Sequence, residues 1–237
     1  MKKVVLITGG SHGIGKSLAE KFAKEGYDIV FTYLTSKLKA NMLEKELKEK
    51  YNSNVLCLKV DIAKEEDVKN LFNNVAREYK KIDVLINNAA YTCDNHYKDK
   101  TKEEFLRVLE VNVVGTFLVT KYITEIMNNG VVINISSLDS TKTYNELSMD
   151  YCASKAGMNS LAQTFSLANL NNKFISLLLP WVKTEIVEEM YQEYLNDELK
   201  RIGQERLYEP FEISDSIYNY VMDEDIKSGS VIELEMK

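Results

Sequence analysis

The sequence is poor in the residues from which metal sites, disulfide frameworks and rigid loops are built. It has three cysteines, two histidines and two prolines among 237 residues. Cys57, Cys93 and Cys152 are far apart and none belongs to a C-x-x-C pair. We therefore expect small, mostly buried free thiols rather than a disulfide framework. With so few soft ligands we also expect no metal site.

Long hydrophobic runs and an excess of positive charge are missing as well. No apolar run approaches the roughly 18 residues that a membrane-spanning helix needs. The first run, Val4–Ile7, is too short for the core of a signal peptide, so we expect a buried first strand in a cytoplasmic protein. The formal net charge of −6 argues against nucleic acid or an anionic membrane as the main partner.

What the chain does have is a regular alternation of short apolar runs with charged, helix-length segments. Runs with little internal alternation predict strands that are buried on both faces. Strand and helix in turn predict a parallel sheet with right-handed crossovers. We expect one α/β domain over residues 1–237, a doubly wound, Rossmann-type parallel sheet of about seven strands with helices on both faces. The predicted strands are Val4–Ile7, Ile29–Tyr33, Val55–Val60, Val84–Ile86, Val131–Ile135, Phe174–Leu179 and Val231–Leu234.

Five segments between these runs have the length and charge of helices. One further segment, residues 184–210, fits the alternation poorly and predicts a helical lid over a substrate. The five predicted helices are Lys16–Glu25, Leu38–Lys50, Glu65–Tyr79, Glu103–Asn128 and Tyr151–Leu170.

A glycine-rich turn, TGGSHGIG, follows the first predicted strand and precedes a helix. Gly9, Gly13 and Gly15 allow a tight turn and a close approach of the backbone to a pyrophosphate. The helix that follows offers free N–H groups and the positive end of its dipole. His12 lies inside this turn, where it is either a further donor to a phosphate or an exposed loop histidine.

The end of the second strand bears on the choice between NAD and NADP. An acidic residue there would bind the ribose 2′-hydroxyl and repel a 2′-phosphate. From Tyr33 onward this chain has no acid in that stretch and offers Thr35, Ser36 and Lys37. Hydroxyls and a cation suit a phosphate, so we predict NADP(H) in preference to NAD(H).

Tyr151 and Lys155, in the stretch YCASKAG, are four residues apart. On a helix both side chains then lie on one face. A nearby ammonium favours the phenolate and would lower the pKa of the tyrosine, which suits proton transfer near neutral pH. Asn87 and Asn88 follow the fourth predicted strand, Ser136 and Ser137 follow the fifth, and Asn112 lies in the stretch VNVVG. Carboxyl ends of parallel strands meet at one edge, where ligands bind.

The order T-G-x-x-x-G-x-G, D-I, N-N-A, N-x-x-G, I-S-S and Y-x-x-x-K resembles the short-chain dehydrogenase/reductase family, 3-oxoacyl reductases among them, from Met1 to about Thr184. The resemblance implies a Rossmann-type sheet and hydride transfer at nicotinamide C4. It implies that Tyr151 is the general acid/base and that Lys155 lowers its pKa and holds the nicotinamide ribose. Ser137 would orient the substrate carbonyl, and Asn112 would support a water-linked proton relay.

The same resemblance assigns the cofactor contacts. It places the pyrophosphate on a loop, the adenine beside an Asp-Ile pair and the adenosine ribose along the N-N-A stretch. It also places the nicotinamide carboxamide beside the segment after the sixth strand, and it implies a homodimer or homotetramer built through the two longest helices. By position these contacts are Gly9, Ser11, Gly13, Ile14 and Gly15; Asp61 and Ile62; Asn88, Ala89 and Ala90; and Pro180, Val182 and Thr184.

Three departures from the family pattern affect the site. The spacing from Ser137 to Tyr151 is one residue longer than usual, which leaves both Ser136 and Ser137 as candidates for the catalytic serine. Ala90 stands where the family has glycine. The segment Pro180–Thr184, PWVKT, is one residue shorter than the family's P-G-x-x-x-T.

Three functions are compatible with these residues. We favour an NADP-dependent reductase of a small-molecule carbonyl. A 3-oxoacyl-thioester reductase is the alternative, but an acidic carrier protein needs basic residues at the cleft mouth, and in residues 184–210 acids outnumber bases. A non-catalytic, cofactor-binding regulator is the third. The acids are Glu185, Glu188, Glu189, Glu193, Asp197, Glu198, Glu205 and Glu209, and the bases that we weigh against them are Lys200, Arg201 and Arg206.

Overall fold

The computed structural model describes residues 2–236. Its centre is a parallel sheet of seven strands in the order β3-β2-β1-β4-β5-β6-β7, which confirms the predicted fold class. The strands are β1 Val4–Ile7, β2 Asp28–Tyr33, β3 Val55–Lys59, β4 Ile82–Asn87, β5 Met127–Ser137, β6 Lys173–Leu179 and β7 Ser230–Glu233.

Helices connect the strands and cover both faces of the sheet. Strand β1 contributes to a hydrophobic cluster on each face of the sheet. Val5 and Ile7 pack into one cluster, and Val4 and Leu6 pack into the cluster on the opposite face. Neither face of the strand meets water, and this explains its unbroken apolar sequence. The helices are α1 Gly13–Lys24, α2 Lys37–Tyr51, α3 Glu65–Glu78, α4 Lys102–Leu109, α5 Thr116–Ile123, α6 Met149–Ala168, α7 Glu185–Glu188, α8 Gln192–Ile202 and α9 Pro210–Met222.

The prediction of one continuous helix over Glu103–Asn128 is wrong, because the segment is divided into several helical pieces and its last two residues belong to a strand. Helices α4 and α5 are joined by a π-helical turn, Glu110–Gly115, and a short 3₁₀ turn, Thr124–Ile126, follows α5. Strand β5 then begins at Met127, which lies beside Ile82 of β4 and is buried. Pairing with the neighbouring strand therefore takes Met127 out of the helix.

Residues 185–202 form the two helices α7 and α8 beyond β6. The residues that flank this helical segment are hydrogen-bonded to each other. Val182 forms a parallel bridge with Tyr208, and the Lys183 amide donates to the Tyr208 carbonyl at 2.9 Å. The segment thus leaves and rejoins the body at the carboxyl edge of the sheet. None of the helices within residues 2–236 has the length and apolar character of a membrane span.

Candidate active site

The glycine-rich loop between β1 and α1 lies at the carboxyl edge, and two of its positions need glycine. Gly13 has φ +54°, a left-handed conformation in which a side chain is disfavoured. A Cβ on Gly15 would lie 2.2 Å from the carbonyl oxygen of Gly9. The loop therefore forms a cradle whose backbone is not covered by side chains at these two positions.

Neighbouring polar side chains hold this loop in place. Asn88 Nδ2 donates to the carbonyls of Thr8 and Gly9 at 2.9 and 3.0 Å. Thr8 Oγ1 accepts from the amides of Asn88 and Ala89, each at 3.0 Å. Thr32 Oγ1, at the end of β2, accepts from the Gly9 amide at 3.2 Å. The side chain of Asn88 thus supports the phosphate loop, a task that the motif alone did not reveal.

A cleft of about 350 Å³ runs from this loop across the ends of β2 and β4. It brings together most of the residues predicted to bind a cofactor. They are Gly9, Ser11, His12, Gly13, Ile14, Gly15, Tyr33, Thr35, Ser36, Asp61, Ile62, Asn88, Ala89, Ala90 and Thr184.

Three predicted cofactor residues lie elsewhere. Lys37 begins α2 and lies outside the set of residues that line the cleft. Pro180 and Val182 line a second cavity next to it, with Thr184 common to both. The shortened segment Pro180–Thr184 thus forms the boundary between the two spaces.

The cleft also has walls that sequence reasoning missed. Arg107 reaches it from α4, with its guanidinium 3.4 Å from Asp61 Oδ2, and Glu185 reaches it from α7. Glu185 forms an ion pair with Lys39 of α2. No local pattern marks these residues, because they approach the cleft from elements distant along the chain. The remaining unpredicted lining residues are Thr32, Leu34, Val60, Tyr91, Val111 and Ile186.

Asn112 is fully buried in the π-helical turn. Its Nδ2 donates to Ser154 Oγ and to the carbonyl of Tyr91, both at 2.9 Å, and its Oδ1 accepts from the Tyr91 amide at 2.7 Å. The side chain therefore ties the segment after β4 to helix α6. A π-turn of this kind often marks a functional site.

Lys155 points from α6 into the protein and is only 2% exposed. Its Nζ donates to the carbonyl of Ile135 at 2.6 Å and lies 5.3 Å from the centre of the Tyr151 ring. Burial lowers the pKa of Lys155 to about 7, because a desolvated ammonium is disfavoured.

The pKa of Tyr151 moves in the direction opposite to the predicted one. Burial raises it, and the nearby Asp139 carboxylate, Cys152 thiol and Asp94 carboxylate add to the effect, while an interaction with the Ser137 hydroxyl opposes it. The prediction that Lys155 lowers the pKa of Tyr151 is therefore wrong for the protein without its cofactor. Burial disfavours the charged forms of both groups, the phenolate and the ammonium. The phenol therefore stays protonated at neutral pH.

Ser136 and Ser137 have different surroundings at the end of β5. Ser136 Oγ is buried and lies 3.2 Å from the carbonyl oxygen of Lys155, to which it donates. Ser137 Oγ accepts from the Asp139 amide at 3.1 Å, and the Ser137 hydroxyl lowers the pKa of the Tyr151 phenol. Both serines line the cavity beside Tyr151, but only Ser137 affects the pKa of the tyrosine.

A second cavity of about 250 Å³ lies beside Tyr151. Ser137 and Tyr151 line it, and residues of α7 and the segment before it form its outer wall. Five of its lining residues also line the cleft, so the two spaces adjoin. These shared residues are Ile14, Ala90, Tyr91, Thr184 and Ile186.

The residues present fit a dinucleotide. The open cradle at Gly15, at the start of a helix, suits a pyrophosphate, and the long cleft beyond it has room for an adenosine. Within residues 2–236, no group of three or more His, Cys, Asp or Glu side chains is clustered so that it could hold a metal ion.

Comparison with known proteins identifies the family. The sequence model of the short chain dehydrogenases matches residues 3–195. An uncharacterized oxidoreductase of Thermotoga maritima is 31% identical over 187 residues, which are 77% of this chain and 72% of that protein. A 3-oxoacyl-[acyl-carrier-protein] reductase of Staphylococcus epidermidis is 34% identical over 167 residues, which are 69% of this chain and 68% of that protein.

Solved structures share the fold. L-sorbose reductase of Gluconobacter frateurii, solved with NADPH and L-sorbose, aligns with a TM-score of 0.88 at 22% identity, covering 99% of this chain and 95% of that one. A short chain dehydrogenase of Burkholderia cenocepacia, solved with NADP, aligns with a TM-score of 0.90 at 22% identity, covering 98% and 96%. The chain therefore belongs to the short-chain dehydrogenase/reductase family and is an NAD(P)-dependent oxidoreductase.

Proposed function

We propose that the protein reduces the carbonyl of a small molecule to an alcohol, with NADPH as the hydride donor and Tyr151 as the proton donor. One observation carries this proposal. The dinucleotide cleft shares five lining residues with a second cavity that is lined by Ser137 and Tyr151, and Lys155 Nζ lies 5.3 Å from the centre of the Tyr151 ring. A nicotinamide at the inner end of the cleft would supply the hydride.

The protein groups around Tyr151 then have separate tasks. Ser137 and Tyr151 donate hydrogen bonds to the carbonyl oxygen and stabilise the negative charge that develops there. Lys155 binds the nicotinamide ribose from below, and Asn112 fixes the segment that carries Tyr91 against α6. Gly9, Ser11, Gly13, Ile14 and Gly15 hold the pyrophosphate.

The protonation state of the phenol favours the direction of reduction. A general acid must hold its proton at the working pH, and burial keeps the Tyr151 pKa above its ordinary value. Reduction consumes a proton at the alkoxide, which a protonated phenol delivers directly.

The preference for NADPH is proposed from the adenosine end of the cleft. His12, Thr35 and Ser36 line this end of the cleft. Ser36 precedes helix α2, but its hydroxyl forms no capping hydrogen bond with that helix. The two carboxylates that line the cleft, Asp61 and Glu185, each lie within ion-pair distance of a basic residue, Arg107 and Lys39. Donors are therefore available for a 2′-phosphate, while the acidic groups are already engaged.

We further propose that residues 1–237 act as one domain and that residues 184–210 form the substrate lid. Ile186, Val187 and Met190, in and just after α7, line the cavity beside Tyr151. Opening of the segment about its fastened ends at Val182 and Tyr208 would admit a substrate, and closure would exclude water from the reaction.

Reduction of a 3-oxoacyl thioester is the second candidate, favoured by the similarity to the Staphylococcus epidermidis reductase. An acidic carrier protein needs unpaired basic residues at the mouth. Here Lys183 lies within ion-pair distance of Glu188 and Glu209, and Arg201 pairs with Glu198. These contacts favour a small molecule over a carrier-bound acyl chain.

The first test is a titration of the purified protein with NADPH and with NADH, followed by nicotinamide fluorescence. Tighter binding of NADPH supports the phosphate site at Thr35 and Ser36, whereas tighter binding of NADH overturns the cofactor assignment. Binding of neither would contradict the enzymatic function altogether.

The second test uses Tyr151→Phe in an assay of NADPH oxidation with a panel of ketones and a 3-oxoacyl-CoA. We expect turnover to fall at least about a hundredfold, because the general acid is lost, while NADPH binding stays within about twofold of wild type. Unchanged turnover would remove Tyr151 from the mechanism. If wild type binds NADPH but reduces none of these compounds, and Tyr151→Phe leaves NADPH binding unchanged, the protein is a regulator. Faster reduction of the thioester than of all ketones would favour the second candidate.

A further inference from the structure

Two carboxylates stand in the wall of the 250 Å³ cavity. Asp139 lies two residues beyond Ser137, in the turn after β5, and Asp94 lies in the segment after β4. No lysine, arginine or histidine among the residues that the structure describes lines this cavity. The space that receives the substrate is therefore negatively charged on one side.

Asp139 is buried without a cation. It is 7% exposed, its carboxylate accepts a hydrogen bond from the Thr143 hydroxyl, and within residues 2–236 no basic nitrogen lies within 4 Å of it. A buried carboxylate is costly unless it is paired. The carboxylate thus has a hydroxyl partner but no ion-pair partner, and the residue lines the cavity.

The basic residues nearest to this region are engaged elsewhere. Arg201 of α8 binds Glu198 through hydrogen bonds of 3.0 and 2.7 Å and also donates to the carbonyl of Thr143. Lys183 lies 3.1 Å from Glu209, and Lys142 pairs with Glu233. Four of the eight acids in residues 184–210 thus lie within ion-pair distance of a base outside the cavity. Asp139 attracts Arg201 electrostatically but forms no ion pair with it.

The same cavity has an aromatic wall whose position is fixed. Trp181 lines it, and the backbone of Trp181 is held on both sides by Gln204, whose Oε1 accepts from the amide at 2.9 Å and whose Nε2 donates to the carbonyl at 2.8 Å. A carboxylate and an indole facing one small space are the two groups that bind an organic ammonium.

We propose that the substrate is a carbonyl compound bearing a protonated amine, which Asp139 binds while the carbonyl lies against Ser137 and Tyr151. This inference rests on the proposed function and narrows it to a class of substrate. Asp94, on the exposed side of the cavity, adds a weaker attraction. Substrates with a carboxylate are repelled by the same two residues.

The test compares three six-membered ketones of nearly equal shape with NADPH as the reductant. They are 1-methyl-4-piperidone, which is protonated at neutral pH, the neutral tetrahydropyran-4-one, and the anionic 4-oxocyclohexanecarboxylate. We expect kcat/KM to be highest for the cation and lowest for the anion. We expect Asp139→Asn to lower kcat/KM for the cation roughly 10- to 100-fold, as for a charge pair that is largely desolvated, and to change the neutral ketone by less than about threefold.

Glu224→Gln serves as the matched control, because it removes one exposed negative charge from the segment after α9, which lines neither the cleft nor the cavity. It should leave all three rates near wild type. Equal losses for the cationic and neutral ketones in Asp139→Asn, or a wild-type preference for the neutral ketone, would overturn the proposal.

A separate measurement keeps this inference distinct from the proposed function. If no ketone is reduced, the proposed function fails, and calorimetric titration of the NADP⁺-saturated protein with 1-methyl-4-piperidone decides the inference alone. Binding that is tighter than that of tetrahydropyran-4-one and is weakened by Asp139→Asn would support it. Equal binding of the two ketones would overturn it.

Discussion

At the scale of single residues, the buried ammonium of Lys155 makes stability depend on pH. The pKa of Lys155 is about 7 in the folded protein, whereas an unfolded lysine has a pKa of about 10.4. Between these values the unfolded chain binds more protons, so the free energy of unfolding rises with pH in this window. Below about pH 7 both states carry the charge, and the full burial penalty remains.

We therefore expect wild type to gain stability relative to Lys155→Met as the pH rises from 6.5 to 9, by about 1–3 kcal/mol. Urea denaturation of both proteins across this range measures the difference. Lys24→Met is the control, since Lys24 is exposed at the end of α1, and its difference from wild type should be flat. If the difference in unfolding free energy between wild type and Lys155→Met does not change with pH, Lys155 titrates like an exposed lysine and the prediction is wrong.

At the scale of elements, a buried ion pair joins the segment after β4 to the helix that carries Tyr151. Lys100 Nζ lies 2.7 Å from Asp150 Oδ2, with side chains that are 3% and 0% exposed, and it also donates to the carbonyl of Cys93. Asp150 lies in the first turn of α6, where the helix dipole favours a negative charge. The pair thus fixes the start of α6 immediately before Tyr151.

Removal of one partner leaves the other charge buried. Lys100→Met should lower the free energy of unfolding by about 3 kcal/mol or more, measured by urea denaturation. The double variant Lys100→Met with Asp150→Asn should recover at least half of the loss, because it leaves no isolated charge. Lys45→Met breaks an exposed pair of 3.8 Å with Glu49 and should cost less than about 1 kcal/mol. Equal costs for the two lysine variants would show that the Lys100 pair is effectively solvated.

The elements themselves differ in how well the sequence predicts them. All seven strands and both flanking layers are predictable, because burial on both faces leaves unbroken apolar runs such as Val4–Ile7. The π-turn at Asn112 and the early start of β5 at Met127 are not, because they depend on side-chain partners and strand neighbours far along the chain. For the same reason the sequence does not reveal that Arg107 and Glu185 line the cleft. It also does not reveal that the pKa of Tyr151 is raised rather than lowered.

At the scale of the whole molecule, the apolar residues of the two predicted interface helices separate into two groups. Leu118 is buried in the core, and Phe165 packs between Phe117 and Phe174 with ring centres 6.0 and 5.5 Å away. Phe117 and Leu167, in contrast, are exposed. Val114 in the π-turn is exposed as well. An exposed apolar set of this kind is typical of a surface that another protein surface covers.

The prediction of a homodimer or homotetramer through this surface has a direct test. We expect sedimentation velocity at micromolar concentration to give two or four times the chain mass of 27.2 kDa, and Leu167→Lys to shift the population toward that single-chain mass. Leu167 is 80% exposed in the single chain, so its replacement should leave the monomer folded, because surface substitutions usually change stability by less than about 0.5 kcal/mol. Met42→Lys makes the same chemical change at a 72% exposed position on α2 and should leave the mass unchanged. A wild-type mass of one chain would contradict the prediction, whereas a loss of association in both variants would place the interface on a different or wider surface.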